Sequence, residues 1–237
     1  MHRLPLIIAL NLLGAGLFFS WYLPINHGIW SAVDTQIFFF FNHLAVTHPG
    51  FATVLAITNQ RLFDLISLLA MGMLFAQVFL RQRRLGLHEA VALGLVMLVS
   101  AVVLNQLGHL LPVSHASPSL FYRDNPAIMR ISLLSGIPTK DASADSFPGD
   151  HGMMLMVFTA YMLKYAGRKA FFIALAITVL FSLPRVMIGA HWLSDIMVGS
   201  LAMVLMGMSW WLMTSTVDQL IARVILLMPP RLRRVNQ

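Results

Sequence analysis

The chain has no cysteine, so neither disulfides nor thiolate chemistry are open to it. Charge is nearly as scarce. Only 11% of the 237 residues are Asp, Glu, Lys or Arg, and 58% are hydrophobic; a soluble domain of ordinary composition is about a quarter charged. A chain this short has too much surface to hide so many apolar residues in a water-soluble fold. Acidic residues are the scarcer sign, nine against sixteen Lys and Arg, for a net charge of +7. A basic excess can signal nucleic acid. Here the basic residues sit in short clusters beside apolar runs, which is how membrane topology is encoded, and no nucleic-acid partner is expected.

What is present is a series of apolar runs of about 20 residues, the length that crosses a hydrocarbon core. Six are read as spans: 4–24, 62–80, 90–111, 152 to the basic stretch 164–169, 170–184 and 196–214. The predicted fold is all-α, a polytopic six-helix membrane bundle forming one integral domain over 1–237. The first run is read as a retained span, because it is long for a signal peptide and no small-x-small site follows. Segment 25–60 has an apolar centre, Phe38 to Phe41, too short to cross. An interfacial helix, a re-entrant segment or a packed lid fits it. Segment 112–150 is the longest hydrophilic stretch, and the tail around 220–228 reads as another interfacial helix.

An even number of spans puts both termini on one side. Arg3, Arg81, Arg83, Arg84, Lys164, Arg168, Lys169, Arg223, Arg231, Arg233 and Arg234 fall on that side, against Arg61, Arg123, Arg130, Lys140 and Arg185 on the other. The imbalance predicts cytoplasmic termini. Segments 25–60 and 112–150 are then periplasmic.

Two polar clusters fall at that outer face. In "PRVMIGAHWLSD", 184–195, His191 and Asp195 are four apart and share a face if helical. Asp195 can hold one ring nitrogen of His191 protonated and leave the other as base or nucleophile. Arg185 is six residues from His191, so a bend is needed, with Gly189 placed to supply it. In "SFPGDHG", 146–152, Asp150 can cap a helix beginning near His151. A helix start with Gly149 and Asp150 offers N–H groups to an anion. There His151 is disfavoured as imidazolium until the anion arrives.

Together these groups make a phosphoryl-transfer site. His191 attacks phosphorus, His151 protonates the leaving oxygen, Arg185 and backbone N–H groups hold the equatorial oxygens, and Asp195 orients His191. Blander readings stand beside this one. Each histidine alone fits a satisfied interfacial residue, Asp150 a plain cap, and Arg185 a topology or headgroup residue. A zinc site of His151, His191 and Asp195 matches no short zinc motif, and Arg185 nearby disfavours a cation. No metal and no cofactor are expected.

The same residues resemble the type 2 phosphatidic acid phosphatase superfamily. "RVMIGAHWLSD" fits its third motif, Arg, five residues, His, three residues, Asp. "SFPGDHG" is similar to its second, usually Pro-Ser-Gly-His, with Gly149 for Ser and Asp150 for Gly. Pro184 stands where Ser usually precedes the Arg. The first motif is eroded: Pro118 is kept, but Ser117 replaces Arg and Leu110 replaces Lys. The resemblance implies a metal-free six-helix membrane bundle. It implies His191 as a nucleophile forming a phosphohistidine, Asp195 as its partner, His151 as general acid and Arg185 as phosphate ligand. Two cations are missing from their usual places. Lys140 is the first choice to replace them, ahead of His115, Arg123 and Arg130.

The variant stretches "NQLGHLLPVSHASP", "SGIPTKDAS" and "SFPGDHGMM" resemble one branch of that superfamily. Its members, in the bacterial inner membrane, move a phosphoryl group from undecaprenyl diphosphate to the 1-phosphate of lipid A at the periplasmic face. The expected partners are therefore those two lipids. A phosphatase acting on undecaprenyl diphosphate or phosphatidylglycerophosphate would use the same residues. A lipid transporter or flippase would instead spread ionisable residues through the bundle, whereas here they gather at one face. Nothing in the sequence sets an oligomeric state.

Overall fold

The computed structural model describes residues 3–82 and 85–228. Within them the fold is all-α. α1 is Leu4–Tyr22, α2 Ile29–Thr47 and α3 Pro49–Ile57. α4 runs Arg61–Arg81, its last six residues wound as a wider π turn, and α5 is Leu87–Gly108. Two short helices follow in the polar segment, α6 Pro118–Phe121 and α7 Ile131–Ser135. Then come α8 Asp150–Tyr165, α9 Arg168–Met187, α10 Asp195–Met213, which opens with a π turn, and α11 Thr216–Leu227.

Helix boundaries follow local chemistry. Pro24 breaks the chain after α1, and Pro49 sits in the first turn of α3, where its missing N–H costs nothing. Glu89 reaches back to the Gly86 N–H at 2.8 Å and closes the start of α5. Gly167, at φ +88, turns the chain between α8 and α9.

Among the described residues five helices are long and apolar enough to cross a membrane: α1, α4, α5, α9 and α10. Their outer faces carry exposed Leu12, Leu68, Val99 and Leu180, which suits hydrocarbon rather than water. The remaining expected span is α8. It has 16 residues, about 24 Å of helix, and is shorter than the other five. The reason is its position. α8 packs on α5, α9 and α10 and buries Met153, Val157, Tyr161 and Met162 in the main core. Much of its surface therefore meets protein.

The helices alternate in direction, so the two ends of the bundle differ. At one end the C-termini of α5 and α9 meet the N-termini of α4 and α8, through His109–Asp150 and Arg185–Asp64 contacts. At the other, Lys164 and Tyr165 of α8 grip Asp218 of α11 at 2.9 and 2.5 Å. The tail helix expected near 220–228 is this α11. Arg83, Arg84, Arg231, Arg233 and Arg234, part of the charge asymmetry, lie outside the described residues.

Segment 25–60 is helical and is not one of the five long apolar helices. α2 turns Asp34, Phe38, Asn42 and Ala45 inward, a helical stripe with two polar members. It packs on α3, α7 and α9, as a lid would. Segment 112–150 is ordered by specific polar contacts. Arg130 pairs with the fully buried Asp141, and Ser117 and Ser143 exchange hydrogen bonds at 2.8 and 3.0 Å.

Candidate active site

α9 runs through Pro184 to Met187, and the Asn59 side chain donates to the Pro184 carbonyl at 3.1 Å. The chain then turns at Gly189, φ +83, where the bend between Arg185 and His191 was expected. The turn is tight as well as left-handed. A Cβ at Gly189 would meet Ser119 Oγ at 2.4 Å and Phe38 Cε2 at 2.6 Å. His191 follows the turn, just ahead of α10, so it does not share a helical face with Asp195. Asp195 instead reaches back from the first turn and accepts the Trp192 N–H at 2.9 Å, as a capping acid does.

This arrangement settles the tautomer of His191. Its Nδ1 lies 2.9 Å from the Ser146 carbonyl oxygen and 3.4 Å from Asp195 Oδ2. Both neighbours are acceptors, so Nδ1 carries the proton and Nε2 keeps its lone pair. Asp195 is fully buried. Its other oxygen, Oδ1, accepts from Nδ1 of His115 at 3.1 Å. One carboxylate therefore serves two imidazoles and a backbone N–H. The His115 ring is stacked on Trp192 and edge-on to Trp21, with centroids 5.6 and 5.2 Å away.

Arg185 is buried near the end of α9 and pairs with Asp64 of α4. The same Asp64 oxygen, Oδ1, lies 3.9 Å from Nδ1 of His151 in the first turn of α8. His151 lies within electrostatic reach of Arg185, Asp64 and His191. The structure thus brings together Arg185, His191 and Asp195 from one stretch of chain and His151 from another.

The other expected residues sit differently. Gly149, not Asp150, is the cap residue of α8. The Gly149 N–H donates to the Asp195 carbonyl at 3.0 Å, so it is engaged inside the protein. A Cβ there would press on Ile196 and Ser200, both at 3.2 Å. Asp150 is the first helical residue and faces Nε2 of His109 at 3.0 Å. Lys140 is exposed, with no ion-pair partner among the described residues. It lies two residues past Pro138, whose carbonyl meets Gln60 beside the start of α4. Arg123 pairs with its neighbour Asp124, and Arg130 is committed to Asp141.

Sequence reasoning gave Asp64 no part in the site and placed His115 only among spare cations. An acid in the first turn of an apolar helix needs a partner, and that signal was present for Asp64. α2 supplies a further support. Asp34 accepts the Ser194 N–H at 3.0 Å, one of the free donors at the start of α10. Burial pushes the Asp34 carboxyl up, only partly offset by Ser194. Asn42 donates to the Met129 carbonyl at 2.7 Å and accepts its N–H at 3.3 Å, which pins the polar segment. Phe38 fills the space under Gly189 and stacks on Tyr122. Among the described residues no three His, Asp or Glu side chains converge as a metal site.

A bundle of apolar helices with an oriented imidazole, a second imidazole and a buried guanidinium at one end has the parts of a membrane enzyme acting on phosphate. Residues 89–219 match the PAP2 superfamily, and the chain belongs to that superfamily. It is 53% identical over 222 residues to the lipid A 1-diphosphate synthase of Escherichia coli (strain K12), covering 93% of this chain and 92% of that protein. No solved structure matches it significantly.

Proposed function

We propose that the protein transfers a phosphoryl group from undecaprenyl diphosphate to the 1-phosphate of lipid A, through a phosphohistidine on His191. The observation that carries this is the engagement of Nδ1 of His191 by Ser146 and Asp195, which leaves Nε2 as the nucleophile. The similarity to a lipid A 1-diphosphate synthase over nearly the whole chain supports the choice of lipids.

In the first step the Nε2 lone pair attacks the terminal phosphorus of the donor. The bond to the bridging oxygen breaks, and that oxygen leaves as undecaprenyl phosphate, taking a proton from His151. Arg185 holds the equatorial oxygens, where charge is spread in the transition state. The phosphorylated ring is cationic, with its Nδ1 proton directed at Asp195 and Ser146. In the second step a phosphate oxygen of the acceptor attacks the same phosphorus, and the acceptor's proton passes to His151, which is restored as the acid. The N–P bond breaks, its electrons return to Nε2, and lipid A 1-diphosphate departs. Both lipids reach the site by lateral diffusion, which raises their effective concentration. Lys140 meets the incoming phosphates, and the turn at Gly149 presents to them the free backbone N–H groups at the start of α8, that of Asp150 first.

The site faces the periplasm of a bacterial inner membrane. Six crossings, the five long helices plus α8, leave both termini in the cytoplasm. Reporter fusions at residue 125 and at the C-terminus test this, and two cytoplasmic signals would overturn it.

The functional test incubates purified protein with undecaprenyl diphosphate labelled in its terminal phosphate, with and without lipid A. Label in lipid A is the expected result. Label released only as free phosphate in both arms would make the protein a phosphatase. His191→Ala should abolish both labelled enzyme and transfer, and full activity in that variant would overturn the nucleophile assignment.

A further inference from the structure

Asp64 is out of place in a site built to hold phosphate. A carboxylate repels the group that Arg185 is there to bind, yet it sits directly on that guanidinium. The two partners are not equally placed. The Arg185 side chain is 9% exposed and the Asp64 side chain 43%, so the cation is fixed in the bundle while the carboxylate approaches from the open side. A guanidinium presents the same donor fork to a carboxylate and to a phosphate. Asp64 therefore occupies the position that a phosphoryl oxygen takes on Arg185. Two anions cannot share it, because like charges in contact repel strongly at the effective dielectric of such a site.

The displaced carboxylate has one near destination. Its Oδ1 is already 3.9 Å from Nδ1 of His151, so a small rotation closes a hydrogen bond. That bond would favour the imidazolium, with one proton held on Nδ1 by Asp64 and the other, on Nε2, directed at the leaving oxygen. His191 is treated in the same way by Asp195, through Nδ1. The site then holds two imidazole–carboxylate pairs, one for the nucleophile and one for the acid.

We propose that Asp64 is a positioning residue that occupies the phosphate seat on Arg185 in the empty enzyme and, once a phosphoryl group displaces it, becomes the carboxylate partner of His151. This rests on His151 acting as general acid, as proposed above. It gives the enzyme a way to hold free phosphate weakly, because a small anion must compete with Asp64. A lipid diphosphate has the rest of its contacts to support the exchange.

The test compares wild type with Asp64→Asn, which keeps the shape and loses the charge, and with Asp64→Ser. Two quantities are measured on each in detergent. One is the inorganic phosphate concentration that gives half-maximal thermal stabilisation. The other is the rate of phosphohistidine formation from labelled undecaprenyl diphosphate. Both variants should bind phosphate at least tenfold more tightly and form phosphohistidine at least tenfold more slowly. These opposite signs distinguish the proposal from a purely structural Asp64–Arg185 link, whose loss would weaken both. Phosphate binding that is unchanged or weaker overturns the proposal, and so does an undiminished rate. Wild type that never acquires label on His191 would overturn the functional reading instead, while the phosphate-binding arm would still judge the seat on Arg185.

Discussion

His115 holds Asp195 by the oxygen that does not face His191, with Nδ1 3.1 Å from Oδ1. That contact fixes the carboxylate so that Oδ2 faces His191 and the Trp192 N–H. A hydrogen bond to a charged group is worth about 1.5–3 kcal/mol, or roughly 10–100-fold in rate if it acts only on orientation. His115→Leu should slow phosphohistidine formation by that factor. His115→Asn, whose amide nitrogen can stand near the place of Nδ1, should keep most of the rate. Equal losses in the two would mean that His115 acts through its outer nitrogen, on substrate.

Asp195→Asn should be milder than the loss of an orienting aspartate in a serine protease triad, where the drop is about 10⁴-fold. The Ser146 carbonyl, at 2.9 Å, still accepts from Nδ1 of His191 and preserves the tautomer. A loss of about 10²-fold is expected, read by rapid quench of the labelled enzyme. A loss of 10⁴-fold would show that Ser146 does not hold the tautomer by itself.

The polar segment should be stable in mild acid. Burial alone would raise the Asp141 carboxyl, but hydrogen bonds from Arg130 and Ser132 outweigh it and hold the group below its ordinary value of 3.8. A depressed acid contributes stability above its unfolded pKa, about 3.9, and loses it as pH falls through the lower folded value. Pepsin cleavage within 112–150 should therefore stay slow down to about pH 4 and accelerate below it. Asp141→Asn should be cleaved quickly across that range, with little dependence on pH.

Gly189→Ala should destabilise the protein by about 1–3 kcal/mol, because φ is +83 and the new Cβ would strike Ser119 and Phe38. Transfer should fall with it, since His191 is two residues on. Adding Phe38→Leu should recover part of the melting temperature by making room, while the left-handed strain remains. Unchanged Tm in the single variant would refute the account of this turn.

Much of this was legible in the sequence, for identifiable reasons. A span of 20 apolar residues is a local property, so α1, α4, α5, α9 and α10 could be placed from it. Arg185, Gly189, His191 and Asp195 lie within eleven residues, and one turn accounts for their grouping. The contacts that were missed join distant parts of the chain. Arg185 and Asp64 are 121 residues apart, His115 and Asp195 80, and Ser194 and Asp34 160. Periodicity cannot show which helix lies beside which, so it left Asp64 without its cation and α2 without a task. The short apolar stretch of α8 is visible in the sequence, but only packing shows that it lies against α5, α9 and α10.

That short helix has a consequence for the depth at which its ends lie. α8 carries Asp150 and His151 at one end and the Lys164 and Tyr165 grip on Asp218 at the other. The distance between them, about 24 Å, is set by peptide geometry and enclosed by neighbouring helices. A typical hydrocarbon core is about 30 Å thick. The five long helices, of 19–22 residues, match that thickness, so the surrounding bilayer keeps its ordinary dimension. The shortfall of about 6 Å falls inside the bundle, and at least one end of α8 stops below the headgroup level within the ring of longer helices.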